Sequence, residues 1–143
     1  MIKNETDIPV QELIEQALKA RNFSYVPYSG YAVGAALMAQ KGAIYSGCNI
    51  ENAAYGPTNC AERTAFFKAV SEGERAFRAI AICGGKKGEK PETYAYPCGV
   101  CRQVMKEFCT DDFEIIVAKS VDEFEIFTLS QLLPHGFGGE NLA

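Results

Sequence analysis

Apolar residues at Val10, Leu13, Ile14, Ala17 and Leu18 recur at the spacing of one helical face, which predicts an amphipathic helix from Asp7 to about Arg21. A turn-prone stretch, Tyr25 to Gly30, then precedes an apolar run from Ala32 to Ala39 and a second candidate strand from Ala43 to Cys48. The short polar link Gln40-Lys41-Gly42 between these two predicts a hairpin, and with it an antiparallel edge to the sheet. After the turn formers between Asn52 and Asn59, Cys60 to about Val70 reads as a helix that can bury Ala61, Ala65, Phe66 and Ala69, with Asn59 as its expected N-cap. Ala79 to Cys83 reads as a strand buried on both faces, and Gly84 to Glu92 as a charged, glycine-bearing loop. Pro97 introduces a helix from about Cys98 to Phe108, followed by strands near Glu114 to Ala118 and Glu125 to Leu129 and a short helical turn before Pro134. The order α-β-β-α-β-α-β-β-α predicts an α/β fold, a three-layer α/β/α sandwich around a mixed five-stranded sheet.

Composition narrows the function classes. The 143 residues suffice for one domain spanning 1–143, and 48% hydrophobic against 22% charged residues excludes wholesale disorder. A net charge of -4 provides no positive field to gather nucleic acid or an anionic membrane, so a small uncharged partner is expected. No apolar run approaches the ~18 residues of a membrane span. Met1 to Val10 carries Lys3, Glu5 and Asp7 without an apolar core, so no export signal is expected and the anticipated location is the cytoplasm. In that reducing compartment the six cysteines are more apt to be metal ligands or redox centres than disulfides. His135 is the single histidine, which leaves proton transfer to other groups.

Cys98-Gly99-Val100-Cys101 places two thiols three positions apart at a helix start, where the dipole favours the thiolate form that binds metal. By itself this spacing fits a redox dithiol equally well. Cys60 opens a second helix, and in open α/β sheets helix N-termini converge near the carboxyl ends of strands, so three cysteines can meet. Three protein ligands leave the fourth position of a tetrahedral Zn²⁺ free for water, which is the catalytic arrangement. Three thiolates also overcompensate the ion by one charge. Arg63, at i+3 from Cys60, and Arg102, next to Cys101, are the cations at hand, and Arg63 is expected to donate hydrogen bonds to the thiolates. Glu62 has the capping-box spacing from Asn59, but at i+2 from Cys60 it also turns away from the ligand direction and can reach over the open position as a proton shuttle. A structural zinc module, with a leftover cysteine as fourth ligand, is the alternative from a different class, although Cys48 and Cys109 lie outside the helix-start pattern.

The segments Asn49-Ile-Glu-Asn-Ala-Ala-Tyr55, Cys60-Ala-Glu-Arg-Thr-Ala65 and Pro97-Cys-Gly-Val-Cys-Arg-Gln103 together resemble the small, all-cysteine type of cytidine deaminase, in the same order and spacing from about Tyr25 to Leu142. The resemblance implies one zinc per chain held by Cys60, Cys98 and Cys101, with zinc-bound hydroxide attacking C4 of cytidine or deoxycytidine to give uridine or deoxyuridine and ammonia. It gives Glu62 the proton transfers, the Ala61 amide the O2 of the base, and the carbonyl before Pro97 the leaving amine. Asn49 and Glu51, at i and i+2 beyond a strand, share a face and can grip sugar hydroxyls; the family uses the matching pair for ribose. A carboxylate there disfavours a phosphorylated sugar. Deamination of another cytosine-containing nucleoside is the neighbouring alternative.

By the same resemblance Tyr31 lies beside the pyrimidine, Phe137 approaches the site of a neighbouring subunit, and the assembly is a homotetramer with shared sites. Three features depart from relatives: Tyr96 precedes Pro97 where serine is usual, Ala32 follows Tyr31 where proline is frequent, and the loop from Gly84 to Tyr94 is enlarged. None removes a reactive group. Cys48, Cys83 and Cys109 match no ligand position and are expected to be buried thiols.

Overall fold

A computed structural model describes residues 7–142, so the N-terminal reading up to Thr6 lies outside the described residues. Helix α1 (Val10–Ala20) leads through a 3₁₀ turn (Arg21–Phe23) to the hairpin β1 (Tyr31–Ala39) and β2 (Ile44–Cys48). Then come α2 (Ala61–Ser71), β3 (Phe77–Lys86), α3 (Gly99–Phe108), β4 (Glu114–Ser120), β5 (Glu123–Thr128) and the short α4 (Leu129–Leu132). The sheet order is β2-β1-β3-β4-β5, with β3 and β4 parallel and every other pair antiparallel. This is a mixed five-stranded sheet in an α/β/α arrangement, as the element order anticipates.

Alternation along the strands builds two cores of different grain. Toward α1 the sheet presents mostly small side chains, Ala36, Ala79, Ala81, Cys83 and Ala118, which meet Leu13, Ile14 and Ala17. Toward α2 and α3 it presents Leu37, Ile80, Ile82, Ile115 and Val117, which meet Ala65, Phe66 and Met105. Two glycines set the helix heights. A Cβ on Gly34 would lie 1.9 Å from the Ala17 carbonyl oxygen, and one on Gly47 would lie 2.5 Å from the Ala65 amide nitrogen, so α1 rests directly on β1 and α2 on β2. Phe66 of α2 stacks on Phe108 of α3, with ring centroids 6.2 Å apart, and locks the two helices side by side on the same face.

Three local expectations are corrected. Asn59 is not the N-cap of α2: Cys60 is, because Asn59 is drawn into a two-way backbone bridge with Ile50 and its side chain donates to Thr64 Oγ1. The loop expected from Gly84 begins later, since Gly84, Gly85 and Lys86 continue β3 by pairing with Val33, Ala32 and Tyr31. Leu129 belongs to α4 rather than to the last strand, because Thr128 and Gln131 form a capping box that starts the helix there. Among the described residues, no helix is long and apolar enough to cross a membrane.

Candidate active site

Cys60 and Cys98 occupy the same position in their helices. Each is the N-cap of its helix, α2 and α3 respectively, in extended conformation with no side-chain capping bond, so both sulfurs stay available at a positive helix end. Cys101 sits one turn into α3 and is buried. The three Sγ atoms lie within 4.8 Å of one another, and those of Cys60 and Cys98 are 3.7 Å apart. A tetrahedral Zn²⁺ with bonds of ~2.3 Å requires sulfur–sulfur edges of about 3.8 Å, so the donor set fits zinc by geometry as well as by softness. Among the described residues no fourth His, Cys, Asp or Glu joins this group; Cys48, Cys83 and Cys109 are elsewhere.

Electrostatics prepare one sulfur as an anion. Hydrogen bonding from Cys101, assisted by the Arg63 guanidinium and opposed by burial, draws the Cys60 thiol down to about 5, while the same pairing pushes Cys101 upward. Arg63 Nη2 lies 3.3 Å from Cys60 Sγ, one helical turn away, and that bond holds the guanidinium firmly protonated. Its Nε is buried and has no hydrogen-bond partner among the described residues. Arg102, the other cation considered for the thiolates, does not face them: its Nε donates to the Pro97 carbonyl and its Nη1 to the Leu132 carbonyl, each at 2.7 Å.

Glu62 is 4% exposed. Burial is the largest cause that raises its carboxyl group to about 7, and the negative charge of Cys60 adds to it. No capping bond with Asn59 competes for the carboxylate. Ala61 is fully buried at the first position of α2, where a helix amide has no intrahelical acceptor.

Asn49 and Glu51 both turn toward the 28–33 segment: Asn49 Oδ1 accepts from the Val33 amide and its Nδ2 donates to the Tyr31 carbonyl. Glu51 accepts from the Tyr28 and Ser29 amides and from the Ser29 hydroxyl, and these bonds hold its carboxyl group below the usual range. A cavity of about 310 Å³ lined by Tyr28, Ser29, Glu51, Asn52, Tyr55 and Thr58 opens beside that carboxylate. Tyr31 begins β1 against Gly84, and Phe137 is exposed, its carbonyl held by Gln103 Nε2 at 2.8 Å. Tyr96 donates its hydroxyl to Glu125 at 2.6 Å and packs edge-on against Phe127 of β5. Ser29 was legible only as a turn former; nothing in its local sequence announces that it binds Glu51.

Residues 8–117 match the family model for the cytidine and deoxycytidylate deaminase zinc-binding region. A cytidine deaminase of Sporosarcina psychrophila is 49% identical over 134 residues, covering 94% of this chain and 95% of the relative. One from Halalkalibacterium halodurans is 48% identical over 132 residues, covering 92% and 96%. The crystal structure of cytidine deaminase from Burkholderia pseudomallei superposes with a TM-score of 0.79 at 43% identity, over 88% of this chain and 97% of that one. Matched along most of its length, and carrying three sulfurs spaced for zinc, the chain belongs to the cytidine and deoxycytidylate deaminase family.

Proposed function

We propose that this chain hydrolyses cytidine and deoxycytidine to uridine and deoxyuridine with release of ammonia, serving pyrimidine salvage in the cytoplasm. The observation that carries the reading is Glu62, a buried carboxyl group raised to about 7 directly beside the sulfur trio. Bound by Cys60, Cys98 and Cys101, zinc supplies the Lewis acidity that makes a water molecule a nucleophile near neutral pH. Glu62 takes one proton from the attacking water and passes it to N3, then takes the remaining proton of the added hydroxyl group and passes it to the leaving amine. A group with that task needs both ionisation states within reach, and burial provides them. The Ala61 amide donates to O2 of the base, and the Tyr96 carbonyl accepts from the leaving amine. Arg63 offsets the surplus negative charge of the sulfurs.

Asn49 and Glu51 hold the sugar hydroxyls, exchanging part of their present bonding with the 28–33 segment for the substrate. Tyr31 flanks the pyrimidine. Phe137, exposed and held at its carbonyl by Gln103, reaches toward a neighbouring copy in a homotetramer with shared sites. Residues 1–143 form one such zinc-dependent domain, with neither nucleic acid nor membrane as partner. The relatives' name, cytidine deaminase, supports the substrate class.

The test is the loss of substrate absorbance with purified protein given cytidine, deoxycytidine or CMP, together with zinc analysis. Turnover of both nucleosides with CMP left nearly untouched is expected, because the Glu51 carboxylate repels a phosphate. A zinc-loaded protein inert toward both nucleosides would overturn the reading, and comparable use of CMP would remove the role of Glu51.

A further inference from the structure

Arg102 stands directly after a metal ligand, yet its side chain turns away from the sulfurs. Its own backbone amide donates to the Cys98 carbonyl at 3.0 Å, and its Nε donates to the Pro97 carbonyl at 2.7 Å. One residue therefore fixes the two consecutive peptide carbonyls of the turn that presents Cys98. The Pro97 carbonyl precedes the helix, outside its ladder of backbone bonds, and the guanidinium donates to it. The other end of the fork, Nη1, donates to the Leu132 carbonyl at the end of α4, one of the orphan carbonyls of a four-residue helix. Both bonds are charge-assisted, and the planar guanidinium sets their relative direction.

The same face of α3 continues this attachment. Gln103 Nε2 holds the Phe137 carbonyl, and Lys106 Nζ pairs with Glu140 at 2.9 Å. The segment from Leu132 to Glu140 is thus fastened along α3, and Arg102 is the link that touches both this C-terminal arm and the turn before Cys98.

We propose that Arg102 is a positioning residue that ties the Cys98 turn to the C-terminal arm, so that firm zinc binding and an ordered arm both depend on its side chain. The proposal rests on the reading of Cys60, Cys98 and Cys101 as zinc ligands. Groups that orient metal ligands from behind are worth about 10–100-fold in metal affinity. A lysine at this position keeps the charge but not the rigid fork, and cannot bridge the two carbonyls in the same geometry.

The experiment compares wild type, Arg102→Ala, Arg102→Lys and Gln103→Ala. Zinc affinity is measured by competition with a chromogenic chelator, and arm order by hydrogen–deuterium exchange over residues 133–142. Arg102→Ala is expected to lower zinc affinity by about 10–100-fold and to speed exchange in the arm, with Arg102→Lys in between. Gln103→Ala is expected to speed exchange while zinc affinity stays at the wild-type level. Wild-type behaviour of Arg102→Lys in both readouts would overturn the proposal, since charge alone would then suffice. A change in only one readout for the Arg102 variants would also overturn it, since the other would then not depend on this side chain. Should Arg102→Ala fail to fold by circular dichroism, Arg102→Lys decides. Neither readout uses turnover, so a wild-type protein that binds zinc but ignores cytidine would defeat the proposed function and leave this inference standing.

Discussion

The Arg63 guanidinium donates to the Cys60 sulfur across one turn of α2, at 3.3 Å, so the cation and the first thiolate are carried by the same rigid element. Removal of the cation leaves three thiolates around one divalent ion with nothing to offset their surplus charge. A hydrogen bond to a charged group is worth about 1.5–3 kcal/mol. Arg63→Ala is therefore expected to keep zinc and lose roughly ten- to a hundredfold in kcat, read by steady-state kinetics alongside metal analysis. Unchanged kcat in a zinc-loaded variant would remove Arg63 from the charge balance.

Glu62→Gln keeps the volume and polarity of the side chain but cannot carry a proton. Its expected phenotype is a folded protein with about one zinc per chain and turnover reduced by about 10²–10⁴-fold. Cytidine absorbance assays and elemental analysis on the same preparation check this. Turnover near wild type would require a different proton carrier.

Metal removal should change which thiols react. With zinc bound, Cys60, Cys98 and Cys101 are expected to resist alkylation; after chelation Cys60 should label first, since its thiol lies near 5 and is part-exposed, and Cys98 is exposed beside it. Cys83 stays silent in both states, being fully buried with its thiol pushed up to about 12. Peptide mapping of the labelled sites reads the order. Equal labelling of Cys60 and Cys98 with and without chelator would count against zinc ligation.

Cys83 also predicts an alkaline stability profile. Burial raises its thiol in the folded state from an ordinary value of 9.0 to about 12, so the folded protein holds a proton that the unfolded chain releases. The associated stability is present in full below about pH 9 and is lost as pH rises toward 12. Cys109 is raised by burial too and acts in the same direction. Urea midpoints measured at pH 8 and pH 10.5 should fall for wild type and fall less for Cys83→Ala. Equal decline in the two proteins would show that this thiol does not titrate differently on unfolding.

Gly47 tests the seating of the site's first helix. A methyl group there would come 2.5 Å from the Ala65 amide nitrogen and 2.6 Å from the Ala61 carbonyl oxygen, both backbone atoms of α2. Gly47→Ala is expected to cost about 1–3 kcal/mol of stability by overpacking and to displace Cys60 with its helix. Chemical denaturation and zinc content measure the two effects. A stable, fully metallated variant would mean that α2 can lift from β2 without consequence.

Periodicity along the chain was enough to recognise α1, the β1–β2 hairpin and the helices behind Cys60 and Cys98, because burial of one face is written every two or three to four residues. The Cys98–Cys101 pair was equally legible, since four residues of helix suffice to bring two side chains together. Its partner across the fold is suggested by the meeting of helix starts in open α/β sheets but joined only by packing: Cys98 lies 38 positions beyond Cys60, and the stacking of Phe66 on Phe108 helps hold their helices side by side. Tertiary pairing also overrode local signals. It pulled Asn59 from the helix cap into a bridge with Ile50, extended β3 through two glycines along β1, and sent Arg102 to the Pro97 and Leu132 carbonyls instead of to the sulfurs. Local sequence specifies which groups a segment carries and which way they face, whereas the partners of a long side chain or an unpaired backbone group depend on what the rest of the fold places within hydrogen-bond reach.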